Sequence, residues 1–107
     1  MTPEQKIART KKLVSAARAL LSLQVGLAVG AKRVADALHL LDHEVCDKHS
    51  VFFDFYRAIP ADIPLGNVRL LWQSDAMIRT DSKLAEIENI YREKLLSECA
   101  VIIRTYS

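Results

Sequence analysis

The stretch "ARALLSLQVGLAVGAKRVADALHLL", residues 17–41, decides the fold. It holds two apolar stripes of helical period on either side of Gly26. Upstream, Ile7, Leu13, Val14, Ala17, Leu20, Leu21 and Leu23 recur at the spacing of one helix face, with Lys6, Arg9, Lys12 and Ser15 largely off it. Downstream, Leu27, Ala31, Val34, Ala35, Leu38 and Leu41 repeat the pattern, with Val45 one turn on. Gly26 reads as the stop of the first helix. Two matching stripes across so short a break predict an antiparallel helical hairpin. Gly30 lies inside the second stripe and costs up to about 1 kcal/mol there relative to Ala, which predicts close packing against the first helix.

Working outward, Thr2 suits an N-cap, Pro3 the first helical position, and Gln5 completes a capping box, so the first helix is expected from about residue 3 to residue 23. At the other end, Thr80 or Asp81 can cap a long final helix with Leu84, Ile87, Tyr91, Leu95, Cys99 and Ile102 on one face. Ile90, Leu96 and Ile103 widen that face toward burial on more than one side. Between them, "VFFDFYRAI", residues 51–59, fits a short helix better than a strand, since a lone strand has nothing to pair with. Pro60 and Pro64 then impose an extended loop. The expectation is an all-α, single-domain bundle of about four main helices spanning residues 1–107.

The chain has 107 residues, half of them apolar, enough for one core without disulfides or metals. No apolar run approaches the ~20 residues that span a bilayer, and "MTPEQKIARTKK" has no apolar signal region. The expected location is cytoplasmic. Cys46 and Cys99 sit at helical spacing among apolar residues and read as buried thiols, a bridge between them being compatible with the sequence.

Charge is uneven. Residues 1–33 carry seven Lys or Arg against Glu4 alone, whereas residues 34–66 carry six Asp or Glu against Lys48 and Arg57. Such a split fits either a partner of opposite charge or a basic first helix lying beside the acidic middle. His39, His43, Cys46 and His49 have spacings that can converge on zinc, but His-Glu-x-x-His is missing and no second cluster closes a tetrahedral site, so no metal is assigned. There is no nucleophile elbow and no phosphate-cradling glycine loop, so neither an enzyme nor a cofactor is expected. Lys6, Arg9, Lys11, Lys12, Lys32 and Arg33 could meet nucleic acid phosphates, the alternative function, though no recognition motif or aromatic stacking platform accompanies them.

One segment stands apart: "IPLGNVRLLWQSDA", residues 63–76, holds the one Trp of the chain. Pro64-Leu65-Gly66 reads as a turn, followed by a short helix carrying Val68, Leu71 and Trp72, with Arg69 one turn before Trp72. Ser74 and Asp75 read as an N-cap sequence before Ala76 and Met77. Trp72 can plug the mouth of the core or anchor a partner, where Trp and Arg are favoured. Taken with residues 17–41 and the Phe-rich segment, this combination resembles a family of small bacterial helical proteins of unknown function. The resemblance covers roughly residues 17–92 and is most specific at Pro64, Leu65, Gly66, Val68, Arg69, Trp72 and Ala76. This chain has only Pro60, Ala61 and Asp62 where that family carries a longer acidic loop. The resemblance implies an all-α single domain and supplies no activity.

Small helical bacterial proteins of this kind are often cognate binders of a toxin, so the leading expectation, by analogy of type, is a non-enzymatic immunity protein that occludes a toxin domain, for example one of nuclease type. The contact residues expected are Asp42, Glu44, Asp47, Asp54 and Asp62, with Arg69 and Trp72, steering a basic partner before aromatic anchors are buried. A homodimer is compatible with the wide apolar face of the final helix.

Overall fold

A computed structural model describes residues 1–59 and 74–107, the side chains of residues 74–81 excepted. Asp62, Arg69, Trp72 and the Pro64–Gly66 turn lie outside the described residues. Five helices are seen: α1 (Pro3–Leu21), α2 (Leu27–His39), α3 (His43–Lys48), α4 (Val51–Ala58) and α5 (Ser74–Tyr106). Among the described residues there is no strand. The all-α bundle is as expected, with the six-residue α3 as an added short helix among the described residues.

α1 opens as its sequence dictates. Thr2 Oγ1 accepts the Gln5 N–H and Gln5 Oε1 accepts the Thr2 N–H, both at 3.1 Å, with Pro3 at the first turn. A cap of this kind contributes about 1 kcal/mol. The other end corrects the expectation. α1 stops at Leu21, and the left-handed residue is Leu23 at φ 59°, not Gly26. The Gln24 N–H reaches the Ala19 carbonyl and the Leu23 N–H the Leu20 carbonyl, each at 3.0 Å. That pair of bonds is a Schellman motif, whose left-handed position usually belongs to Gly. Gly26 has φ −60° and ψ 152° and stands as the N-cap of α2.

α1 and α2 meet with opposite sense at their two ends. Arg9 Nη1 donates to the Leu40 carbonyl at 3.0 Å, while Leu20 packs on Gly30. A Cβ on Gly30 would sit 2.6 Å from Leu20 Cδ1 and 2.8 Å from Val25 Cγ2, closer than carbon atoms pack. The bare backbone therefore sets this approach, as the sequence anticipated.

The second stripe does not run on into Val45 as one helix. α2 ends at His39, and Asp42 takes an extended backbone, ψ 155°, as the N-cap of α3. Asp competes poorly inside helices and favours caps. Its carbonyl accepts the Val45 and Cys46 N–H groups at 3.0 and 3.2 Å, and the chain turns there. The Phe-rich segment is helical, with Phe52 and Phe55 buried.

α5 runs unbroken through Thr80 and Asp81 from Ser74, so neither caps it. Its 33 residues span about 50 Å. Leu84, Leu95, Cys99 and Ile102 are buried, with Ile87, Tyr91, Leu96 and Ile103 packed partly against the core. Ile90 and Ile7, both expected on apolar faces, are 68% and 58% exposed. The core joins Leu13, Ala17 and Leu20 of α1 to Ala28, Ala31, Val34 and Leu38 of α2, Phe52 and Phe55 of α4, and the α5 stripe. No helix among the described residues is long and apolar enough to cross a membrane.

Two substitutions check this geometry. Leu23→Gly should raise stability by about 1 kcal/mol, because the left-handed conformation then carries no Cβ penalty. Gly30→Ala would gain about 1 kcal/mol of helix propensity in open space. Here it should instead lower stability by about 1 kcal/mol net, since overpacking costs more. Urea melts of the two variants against the parent chain read both signs.

Candidate partner-binding face and the buried His49 cluster

α3 is six residues long and buries none of them, so its polar groups face outward. Asp42, Glu44 and Asp47 are exposed, as is Asp54 on α4. Asp47 lines a cleft of about 470 Å³ together with Lys32, Asp36 and His39 of α2 and Phe53, Tyr56 and Arg57 of α4. The His39 and Phe53 rings lie 4.8 Å apart, tilted by 59°. Tyr56 is 41% exposed. Asp54 points elsewhere on α4 and meets Arg57 at 3.7 Å, with both side chains largely in solvent. Such a pair contributes at most about 1 kcal/mol. The cleft's own charges balance, Asp36 and Asp47 against Lys32 and Arg57. The acid excess is carried by the exposed Asp42 and Glu44 at the start of α3, which do not line the cleft.

The four candidate metal ligands do not converge. The break after His39 puts His43 on a different helix. His39, His43 and Cys46 border the same cleft, but the Cys46 thiol is turned to donate to the Leu38 carbonyl at 3.1 Å. Among the described residues no three His, Cys, Asp or Glu side chains are grouped to hold an ion. Both cysteines are free, which excludes the Cys46–Cys99 bridge.

His49 is the unexpected member. It is 4% exposed, the one buried polar side chain among the described residues. Nδ1 lies 2.5 Å from Glu98 Oε1 and Nε2 lies 3.0 Å from the Tyr106 hydroxyl. With the ring neutral, Nδ1–H donates to the Glu98 carboxylate and Nε2 accepts the Tyr106 O–H. Burial, and then the Glu98 charge, push the Tyr106 phenol up, so it keeps its proton. The same two causes push the Cys99 thiol up to about 12. Burial and the adjacent Asp47 carboxylate also raise the Cys46 thiol.

Measured against protein-family models, curated proteins and solved structures, the chain matches none of them. What the site can do must therefore come from its own chemistry.

His49 does not line the α2–α4 cleft, and its bonds to Glu98 and Tyr106 tie the α3–α4 junction to α5. Sequence reasoning could weigh His49 only as a candidate metal ligand, and assigned no metal, because its partners lie 49 and 57 residues away. No local spacing marks such a pairing. The cleft, by contrast, contains Asp47, which charge reasoning singles out, together with Phe53 and Tyr56, which the sequence places only within a short helix.

Two outcomes follow for stability. His49→Ala should cost about 2–4 kcal/mol, since it opens a cavity and strips the half-buried Glu98 carboxylate of its donor. Tyr106→Phe should cost about 1 kcal/mol, and urea unfolding at neutral pH separates the two. Cys99 and Tyr106 have folded values raised above their unfolded ones, so the stability they lend is intact below the ordinary thiol range of about 8.5. It should be lost as pH climbs through the folded value of about 12 for Cys99. A denaturant midpoint that falls across this alkaline window is the expected result. Cys99, fully buried, should label with a thiol reagent only on unfolding, whereas half-buried Cys46 labels slowly in the native state.

Proposed function

We propose that this chain is a non-catalytic protein-binding domain that covers a cognate partner, in the manner of an immunity protein occluding a toxin, and that the α2–α3–α4 face makes the contact. One observation carries the reading. Asp36, Asp42, Glu44 and Asp47 form no ion pair among the described residues, and two of them, Asp36 and Asp47, line a cleft walled by His39, Phe53 and Tyr56. Carboxylates left to solvent around accessible aromatic rings are the ingredients of steered association followed by anchor burial. α3 suits such a role because its surface is not consumed by the core. Occlusion needs a stable complementary surface and no catalytic group. The cytoplasm is the compartment where such a protein would act.

The placement of the basic residues favours this reading over nucleic acid binding. Arg9 is spent on the Leu40 carbonyl. Lys11 and Arg18 border one groove, Lys12 and Arg33 a second, and Lys32 the α2–α4 cleft. Phosphate tracking along a duplex asks for one contiguous stripe.

The experiment is affinity capture from the native host at moderate salt, followed by kinetics with the recovered partner. A stoichiometric protein should be recovered that is toxic when expressed alone and harmless when co-expressed with this chain. Asp47→Lys combined with Tyr56→Ala should slow association and weaken binding about tenfold or more, while Lys83→Glu on α5 leaves it unchanged. Recovery of nucleic acid, of nothing, or of a partner indifferent to the double variant overturns the proposal.

A further inference from the structure

A groove of about 850 Å³ runs between α1 and the end of α5, away from the α2–α4 cleft. Lys11, Ser15, Arg18 and Ser22 border it. Their spacings of four, three and four residues put them in one row on a helix face, about 16 Å long at the helical rise. Val14, Leu21 and Ile103 supply its apolar surface. No acidic side chain lines it. Arg18 Nη2 donates to Ser107 Oγ at 3.1 Å, which holds the guanidinium beside the groove while engaging one of its five N–H groups. Among the described residues neither Lys11 nor Arg18 is ion-paired.

We infer that this groove binds an acidic, amphipathic peptide segment of a partner protein, its carboxylates on Lys11 and Arg18 and its apolar side chains on Val14, Leu21 and Ile103. The inference stands whether or not the α2–α4 face binds anything. Three features select a peptide. The cations lie seven residues, about 10 Å, apart along the helix, too far for one carboxylate or phosphate to bridge. The apolar residues between them match side chains that alternate with acids. Single-stranded nucleic acid needs exposed aromatic faces for its bases, and the one ring lining the groove, Tyr106, is half-buried and tied to His49. The elements carrying the two cations are rigid, since α1 is pinned by its capping box and by the buried Leu13, Ala17 and Leu20.

The probe is a short fluorescein-labelled peptide of alternating Glu and Leu, followed by fluorescence anisotropy with the full chain at low and high salt. Saturable binding that weakens with salt is expected, because exposed charge contacts are screened. Lys11→Glu with Arg18→Glu should weaken it about tenfold or more, two reversed contacts being enough for that. Lys12→Glu with Arg33→Glu makes the same change in net charge on the α1–α2 side and should leave it within about twofold. Circular dichroism confirms that each exposed-site variant is folded. Equal loss in both double variants would show attraction to net charge alone and overturn the proposal. So would equal binding of a Lys-Leu peptide, tighter binding of a single-stranded oligonucleotide of matched charge, or no binding to the parent chain.

Discussion

The closeness with which α1 and α2 approach at Gly30 governs the rest of the bundle. A Cβ at that point would overlap Leu20, itself fully buried, so the two helices pack nearly backbone to side chain. Around it α2 is lined with small residues, Ala28, Ala31, Ala35 and Ala37, all buried. A helix this narrow lets its neighbours come close on several sides, and the missing volume is supplied from elsewhere. Phe52 and Phe55 come from α4, Leu95 and Ile102 from α5, each fully enclosed. Core density is therefore reached by pairing a thin central helix with bulky side chains from late in the sequence. The capping of α1 and the Arg9 bond to Leu40 are details that this approach makes geometrically available.

The peripheral part of the bundle obeys a different rule. α3 fully buries no side chain, and only Val45 and Cys46 pack partly against the core. Two polar attachments at its edge add to that contact: the Cys46 thiol on the Leu38 carbonyl, and His49 between Glu98 and Tyr106. A buried imidazole satisfied on both nitrogens is directional in a way that packing is not, and a half-satisfied one would be worse than an apolar contact. The α3 surface is thereby freed from the core while staying fixed against it. That combination is what a recognition surface requires, because preorganised groups lose less freedom on binding.

How much of this could be read in advance depended on the range of the interaction. Local signals were legible. Thr2, Pro3 and Gln5 gave the start of α1, Gly30 gave the tight approach, and the α5 stripe from Leu84 to Ile102 was placed correctly. The failures have physical causes. Leu23 adopts the left-handed position that Gly would be expected to fill, because the Schellman bonds and the start of α2 demand that geometry whatever residue stands there. The apolar pattern of α2 ran straight through Asp42, and periodicity cannot see a backbone turn that keeps Val45 near the same core. Ile7 and Ile90 matched the period yet face solvent, since a stripe reveals a face without saying how far its neighbour extends. His49 was the hardest, its partners being contributed by a helix half the chain away. For the candidate site, charge reasoning found Asp47 but not the aromatic wall, because Phe53 and Tyr56 look like ordinary helix residues until α2 is laid beside them.

The charge imbalance of the sequence is not cancelled by the fold. A basic first helix neutralised by an acidic middle would show ion pairs between α1 and α3 or α4, and among the described residues there are none. Arg9 meets a carbonyl, Arg18 a hydroxyl, and the Asp54 carboxylate a neighbour on its own helix. Signs mix mainly along α2, where Lys32, Arg33 and Asp36 lie within about one turn of each other. Cations therefore remain along α1 and carboxylates on α3, on different parts of one rigid body. A body so polarised aligns in another protein's field before contact, which raises productive encounters without adding to the contacts themselves. Close affinity must then come from shape and burial, and the residues placed to supply it differ on the two sides. Aromatic rings stand beside the acidic helix, aliphatic side chains beside the basic row. Under the proposed reading, a partner's basic surface and an acidic segment would be held in distinct ways, since among the described residues the cations of α1 and the carboxylates of α3 are not paired with each other.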